Sequence, residues 1–419
     1  MPSPNYLSIA EIPTPAYVVD IDIFQRNYQR FVQAFQAIYP VVQIGYSYKT
    51  NYARPIISEN KRLGGYAEVV SSMEMDMALG IGHSGEEIYF NGPLKTDAEL
   101  SRIISLGCKL NIDSLDEAER VANLAEEMGI CFAVGLRIAF ETDPILGESR
   151  FGIEFPSPEF EVAIKVIENS DFLRLSGVHA HYPQRDISTV DSTAGNVAKL
   201  VLHLHEKMGL SIDYFSIGGG FSGPMEPEFA RQFSRELASF DDYARQCAAH
   251  FSGVVEQYRG YDIPTLVLEP GTALVADAID YICKVHTTKS RGSGRSLAVT
   301  DGSSFAMGGI PKHIKPSWYV LRADSDRRDE DADATSTCGT TRTQIVGYTC
   351  VEGDILVDET SESIRVGDRV CFRYKGAYSL VMRPPFIRMD EVVITRSAEG
   401  GMRLARDKID PDFCFESYE

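Results

Sequence analysis

The chain is predicted to be an α/β protein: a (β/α)8 TIM-like barrel followed by a C-terminal, mainly β domain. Three observations carry this. At 419 residues the chain is too long for one ordinary core, so two domains are expected. Between Ile44 and Pro270, eight short apolar, β-favouring runs alternate with helical segments, and most end in a polar residue or glycine. Eight such units over roughly 250 residues is the barrel pattern. After Ala276 the texture changes to short β-rich runs separated by Gly and Asp turns. The expected boundaries are 25–275 for the barrel, with 1–24 and 276–419 forming the β domain. A doubly wound open sheet is the runner-up.

In order, Thr14–Asp20 reads as a strand leading into a helix, whose Phe24, Tyr28, Phe31 and Phe35 share one face by 4-3-4 spacing. That stripe is expected to be core. The barrel runs are Ile44 to Lys49, Ala67 to Val70, Glu87 to Phe90, Leu110 to Ile112, Phe132 to Ile138, Gly177 to His181, Tyr214 to Ile217 and Thr265 to Leu268. Ser71 to Glu74 has the spacing of a capping box. Later β runs are Tyr281 to Thr287, Ser296 to Thr300, Gln344 to Thr349, Arg369 to Tyr374 and Glu391 to Arg396. Arg322 to Thr343, rich in acids, Arg, Ser and Thr, reads as a solvated loop. No internal repeat is evident.

A net charge of −19 argues against nucleic acid and anionic membranes as partners. No apolar run approaches the roughly 20 residues of a membrane span, and Met1 to Ile9 lacks the pattern of a signal peptide. Eight scattered cysteines with no CxxC pair suit reduced thiols in the cytoplasm rather than a disulfide frame or a metal site.

The stretch Ile44-Gly45-Tyr46-Ser47-Tyr48-Lys49 places one lysine at the mouth of an apolar strand. Burial there is expected to lower its pKa and favour a free, nucleophilic amine. The plain alternative is a lysine with its stem on apolar surface and its amine in water. In a barrel, polar residues at the strands' C-terminal ends face the active site. Here they are Lys49, Glu68, Asn91, Arg137, His181, the turn Gly218, Gly219 and Gly220, and Glu269. Singly each has an ordinary structural explanation; His181 alone would more often be a satisfied interior histidine. Together, an amine, a glycine turn able to close on phosphate, an imidazole and a carboxylate describe a site for pyridoxal 5′-phosphate (PLP).

Several segments then resemble a known family over nearly the whole chain. They are Tyr46 to Asn51, Glu68 to Glu74, Ser149-Arg150-Phe151-Gly152, Gly177 to His181, Gly218 to Phe221, Glu269-Pro270-Gly271, Cys350 to Asp354 and Gly376-Ala377-Tyr378-Ser379. The chain is similar to the fold-type III PLP-dependent decarboxylases, the group containing ornithine/arginine and diaminopimelate decarboxylases. The resemblance implies that Lys49 holds PLP covalently, His181 stacks on its ring and Glu269 meets the ring nitrogen. It implies that Gly218 to Gly220, Gly271, Thr272 and Tyr378 surround the phosphate, with Glu68 and Arg137 near the cofactor. It also implies that Cys350 donates a proton from a second subunit, in a homodimer with shared active sites.

The chain departs from the family pattern at three places. Tyr182-Pro183-Gln184 follows His181 where Gly-Ser is usual, Thr272 stands where an arginine is usual, and Val351 replaces an acid that binds a distal ammonium. Lys315, in Ile314 to Tyr319, falls where diaminopimelate enzymes place an arginine for a far carboxylate, and Arg383 is another basic candidate. With Tyr319, Val351 and Glu352 these form the expected substrate contacts. The expected reaction is decarboxylation of an amino-acid-headed substrate with an anionic tail, as in siderophore-type, amino-acid or polyamine biosynthesis. The alternatives are diaminopimelate decarboxylase proper, an alanine-racemase-like racemase, and a regulator that has lost the cofactor.

Overall fold

The computed structural model describes residues 7–8, 11–233, 237–308, 314–323, 342–389, 391–397, 401–410, 412 and 416. Most of the acidic stretch within 322–343 therefore lies outside the described residues. The first strand, β1 (Ala16–Asp20), runs into α1 (Ile21–Gln36), and Asp20 caps that helix by accepting from the Ile23 N–H. Phe24, Tyr28, Phe31 and Phe35 are all buried, as their spacing predicts. The stripe also buries Asn27, whose amide donates to the Leu274 carbonyl at 3.1 Å and to Asp277 at 2.7 Å.

The barrel strands are β2 (Val42–Ser47), β3 (Tyr66–Val69), β4 (Ile88–Phe90), β5 (Lys109–Ile112) and β6 (Phe132–Ala139); a two-residue β7 (Ile153–Glu154) pairs with β6. The set closes with β8 (Leu173–His179), β9 (Tyr214–Ser216) and β10 (Thr265–Leu268). All pair in parallel, in the order β5-β4-β3-β2-β10-β9-β8-β6, and β6 returns to β5. Eight strands thus close a barrel, and the open-sheet alternative is excluded. The helices between them are α2 (Arg54–Arg62), α3 (Ser72–Gly80), α4 (Asp97–Leu106), α5 (Leu115–Met128), α6 (Pro158–Glu168), α7 (Ile187–Met208), α8 (Pro227–Ala230) and α9 (Phe240–Gln257), and α10 (Thr272–Val275) follows the last strand. At α3 the capping box is one-sided. Ser71 accepts from the Glu74 N–H, but the Glu74 carboxylate accepts from Val70 at 2.8 Å.

The second sheet contains β11 (Ile279–Arg291), β12 (Arg295–Thr300), β13 (Trp318–Leu321), β14 (Arg342–Val346), β15 (Ile355–Thr360), β16 (Arg369–Phe372), β17 (Val392–Arg396) and β18 (Met402–Arg406). Five of these match runs legible in the sequence; β13, β15 and β18 do not. β1 lies inside this sheet, antiparallel to β11 and parallel to β17. The chain therefore starts in the β domain and enters the barrel through α1.

Side chains alternate across each strand, so every second barrel residue points inward. The lower inward layer is Tyr66, Tyr89, Tyr214 and Val267. Glycines make room for it: a Cβ at Gly177 would lie 2.3 Å from the Tyr214 ring, and one at Gly135 would lie 2.3 Å from its hydroxyl. This filled floor leaves the barrel's other end for chemistry.

Candidate active site

Above the tyrosine floor the next inward layer is polar. It contains Ser47, Glu68, Asn91, Asn111, Arg137, His179, Ser216 and Glu269, one from each barrel strand or the residue just after it, and all eight are buried. Buried polar groups must find partners, and these find one another. Glu68 accepts from Ser47 at 2.5 Å, from Lys49 at 2.6 Å and from Asn91 at 3.2 Å. Asn91 also donates to Glu269 at 3.1 Å and accepts from Asn111 at 2.7 Å; Asn111 in turn accepts from the Tyr214 hydroxyl at 2.8 Å. Glu269 accepts from Ser216 at 3.0 Å and pairs with His179 Nε2 at 3.0 Å. One asparagine thus spaces two carboxylates and fixes both.

The electrostatics differ from expectation at Lys49. It lies in the single turn after β2, half-buried, with its amine facing a cavity. Burial alone would lower its pKa, but the neighbouring Glu68 and Glu269 carboxylates outweigh burial and raise it. The amine is thus held charged beside Glu68, and the expected lowering is corrected. Burial would likewise push the Glu269 carboxyl up, yet His179 and Lys49 hold it well below the usual carboxylate range. Burial and the Lys49 charge push His181 down to about 3. Geometry agrees: His181 Nδ1 accepts the Gly219 N–H at 3.0 Å, so the ring is neutral with its proton on Nε2.

Two cavities meet at Lys49, His181 and Glu269. The smaller, about 290 Å3, is lined by Gly219, Gly220, Phe221, Gly271, Thr272 and Tyr378, together with Thr50, Pro183 and Arg185. The glycine turn is forced by crowding: a Cβ at Gly218, whose φ is +68°, would lie 2.6 Å from the Ala180 carbonyl. Among the described residues the N–H groups of Gly220 and Phe221 have no protein partner. Tyr378 takes a left-handed backbone, φ 56°, and its N–H donates to Thr50 at 3.0 Å. The larger cavity, about 520 Å3, is lined by Glu68, Asn91, Arg137, Glu148, Arg150, Phe151 and Gln184, among others. A wider groove of about 1130 Å3 in the β domain, around His286, Asp301 and Arg388, lies away from Lys49. Size does not locate chemistry here; converging buried charge does.

These residues fit PLP: an amine at the junction, an anionic carboxylate at the floor, a neutral imidazole, and a pocket of free N–H groups and hydroxyls for phosphate. Sequence reasoning passed over His179, Ser216, Ser47, Asn111 and Arg185. The period of two along each strand would have flagged the first four as inward-facing.

Of the other predicted residues, only Arg137 belongs to this inward polar layer. Arg137 is buried, 3.4 Å from Asp113, with its guanidinium 4.5 Å from the Phe151 ring. Arg383 is corrected as a substrate contact: it is buried, ion-paired to Glu391 at 2.6 Å and bonded to the Met389 carbonyl at 3.0 Å. Tyr319 lies on β13 and lines neither cavity. Its hydroxyl is pushed up by burial and by neighbouring Cys371 and Asp280, within the β domain. Lys315 borders a separate cavity with Trp318 and Gly353. Cys350, Val351 and Glu352 form an exposed loop between β14 and β15, outside both Lys49 cavities. Asp354 anchors that loop, accepting from the Ser304 N–H at 2.7 Å and the Thr349 hydroxyl at 2.7 Å.

The fold and site define a barrel whose buried polar end presents a lysine amine at the junction of two cavities. Comparison with known proteins agrees. The family described as pyridoxal-dependent decarboxylase, pyridoxal binding domain, matches residues 23–276. Diaminopimelate decarboxylase of Methanothermobacter thermautotrophicus is 26% identical over 425 residues, covering 95% of this chain and 90% of its own. That of Bacillus subtilis is 26% identical over 416 residues, covering 94% and 89%. Among solved structures, diaminopimelate decarboxylase of M. jannaschii superposes with a TM-score of 0.79 at 24% identity, covering 95% of this chain and 90% of that one. The Helicobacter pylori enzyme complexed with L-lysine gives 0.77 at 21%, covering 97% of both. The chain belongs to the fold-type III PLP-dependent decarboxylases of the ornithine/diaminopimelate decarboxylase family. It is a carboxy-lyase that uses PLP.

Proposed function

We propose that the chain decarboxylates an α-amino acid whose side chain ends in a second carboxylate, with diaminopimelate as the leading substrate. The observation that carries this is the agreement of full-length relatives, from archaea and bacteria, on one activity. Loss of one CO2 from diaminopimelate gives lysine, the molecule bound in the M. jannaschii and H. pylori structures. The relatives support this substrate better than a siderophore-type one, and they favour decarboxylation over racemisation. Within the larger cavity, Arg150 stands 4.0 Å from the Phe151 ring and has no carboxylate partner among the described residues. It is a better-placed cation for an anionic tail than the buried Arg383. With Val351 in place of an acid, Glu352 is the acid beside Cys350 in that loop.

The site geometry and the family resemblance together support the following roles. When bound, PLP supplies an electron sink for the pair left by the broken Cα–carboxylate bond. Lys49 carries the amine that would hold the cofactor, and Glu68, 2.6 Å away, is placed to take and return that amine's proton. Glu269, kept anionic, would hold a proton on the ring nitrogen of bound PLP. His181, neutral, offers a flat face without competing charge. Gly218 to Gly220, Gly271, Thr272 and Tyr378 would surround the phosphate. By the family resemblance, Cys350 would reach in from a second subunit and supply the proton that replaces CO2 at Cα. The exposed Cys350 loop, apart from its own chain's Lys49 cavities, supports a homodimer with shared sites. The division into 25–275 and its flanking β domain is part of the same proposal. Six described cysteines without disulfides support a cytoplasmic setting. No helix among the described residues is long and apolar enough to cross a membrane.

The test is CO2 release by the PLP-loaded protein over a panel of diaminopimelate, other acid-tailed amino acids, ornithine, lysine and arginine. Diaminopimelate should be turned over fastest and yield lysine. Faster turnover of ornithine, lysine or arginine would end the proposal.

A further inference from the structure

We infer that Arg185 supplies the positive charge for the cofactor's phosphate in this chain, from the loop after β8 instead of from the turn after β10. Thr272, which follows Glu269-Pro270-Gly271, carries no charge, so the turn after β10 leaves a doubly charged phosphate short of a cation. The fold returns one from the other side of the same cavity. Arg185 lines the 290 Å3 pocket with Gly219, Gly220, Thr272 and Tyr378, and its Nη2 donates to the Thr272 hydroxyl at 3.2 Å.

Three further observations support this. First, the loop is pinned: the Arg185 carbonyl accepts from the Tyr243 hydroxyl at 2.6 Å, and a Cβ at Gly220 would lie 2.7 Å from the Tyr182 carbonyl and 3.0 Å from that of Gln184. The guanidinium therefore extends from a fixed base. Second, no carboxylate pairs with Arg185 among the described residues. Third, the other basic groups in the lining are committed. Lys49 pairs with Glu68 at 2.6 Å, and His181 is neutral. A guanidinium fork matches phosphate geometry and is always charged. Thr272 is then a hydroxyl that orients Arg185 and leaves it room. An arginine at 272 would put two cations in one pocket.

The inference rests on the cofactor and not on diaminopimelate, so it is tested without substrate. Protein freed of PLP is titrated with PLP and, separately, with pyridoxal, which lacks the phosphate, and affinity is read from absorbance. Arg185→Ala should weaken PLP by about tenfold to a hundredfold, the worth of a charge-assisted hydrogen bond. It should leave pyridoxal unchanged. Adding Thr272→Arg to Arg185→Ala should restore PLP affinity. Should Arg185→Ala fail to fold, Arg185→Gln removes the charge while keeping a donor for Thr272, and the same comparison applies. Unchanged PLP affinity, or equal losses for PLP and pyridoxal, would overturn the assignment. Wild-type protein that binds PLP but prefers another amino acid would overturn only the substrate proposal.

Discussion

Replacing Glu269 by glutamine removes one negative charge and almost no volume. The wild-type carboxylate holds three partners: Ser216 at 3.0 Å and Asn91 at 3.1 Å on Oε1, and His179 at 3.0 Å on Oε2. Glutamine keeps an oxygen for the first two but turns an amide toward His179. One charge-assisted bond is lost, about 1.5–3 kcal/mol of stability in a site this buried. The effect on rate should be larger. A ring nitrogen no longer held protonated by an adjacent anion is a weaker sink, and removing one preorganised electrostatic group typically costs about 10²–10³ in kcat. The assay is initial-rate CO2 release at saturating PLP, with cofactor occupancy read by absorbance on the same sample. Expected is full occupancy with turnover down by about two to three orders of magnitude. A variant that binds PLP and works within threefold of wild type would show that the Glu269 charge is not needed.

Further expectations concern the shared site and its titration. Lys49→Ala and Cys350→Ala should each be inactive alone, yet their mixture, after subunit exchange, should recover up to about a quarter of wild-type activity. No recovery despite proven exchange would place both groups on one chain's site. Burial raises the Glu74 carboxyl from near 4.5 to about 7, so the fold keeps a proton that the unfolded chain has lost. Wild-type stability should therefore fall as pH rises through that window, by about 3 kcal/mol at most. Glu74→Gln keeps an acceptor for the Val70 N–H and should gain on wild type between pH 5 and 8 in denaturant melts; a gap that stays flat would contradict the buried proton. His181, pushed down to about 3, should stay neutral with its proton on Nε2 in nitrogen NMR down to about pH 4. A midpoint near 6.5 would mean that the ring is solvated rather than packed on the glycine turn.

The sequence alone determined the barrel, the β domain that follows it, and the line of functional residues at the strand ends. It could do so because strand period, turn chemistry and the Lys49, Glu269 and Gly218 to Gly220 motifs are local properties of a chain. Tertiary structure alone decided which groups touch. Glu68 and Asn91 are 23 residues apart and Asn91 and Glu269 are 178 apart, yet they form one network because parallel pairing closes a ring. The charge on Lys49 differs from the expectation for that reason: burial is legible locally, but the opposing carboxylate arrives from the neighbouring strand. Arg383 looked available until the fold buried it against Glu391, and Arg185 looked unremarkable until the fold set it beside Thr272. Electrostatic energy depends on distance through space, and distance through space is what a linear order of residues does not contain.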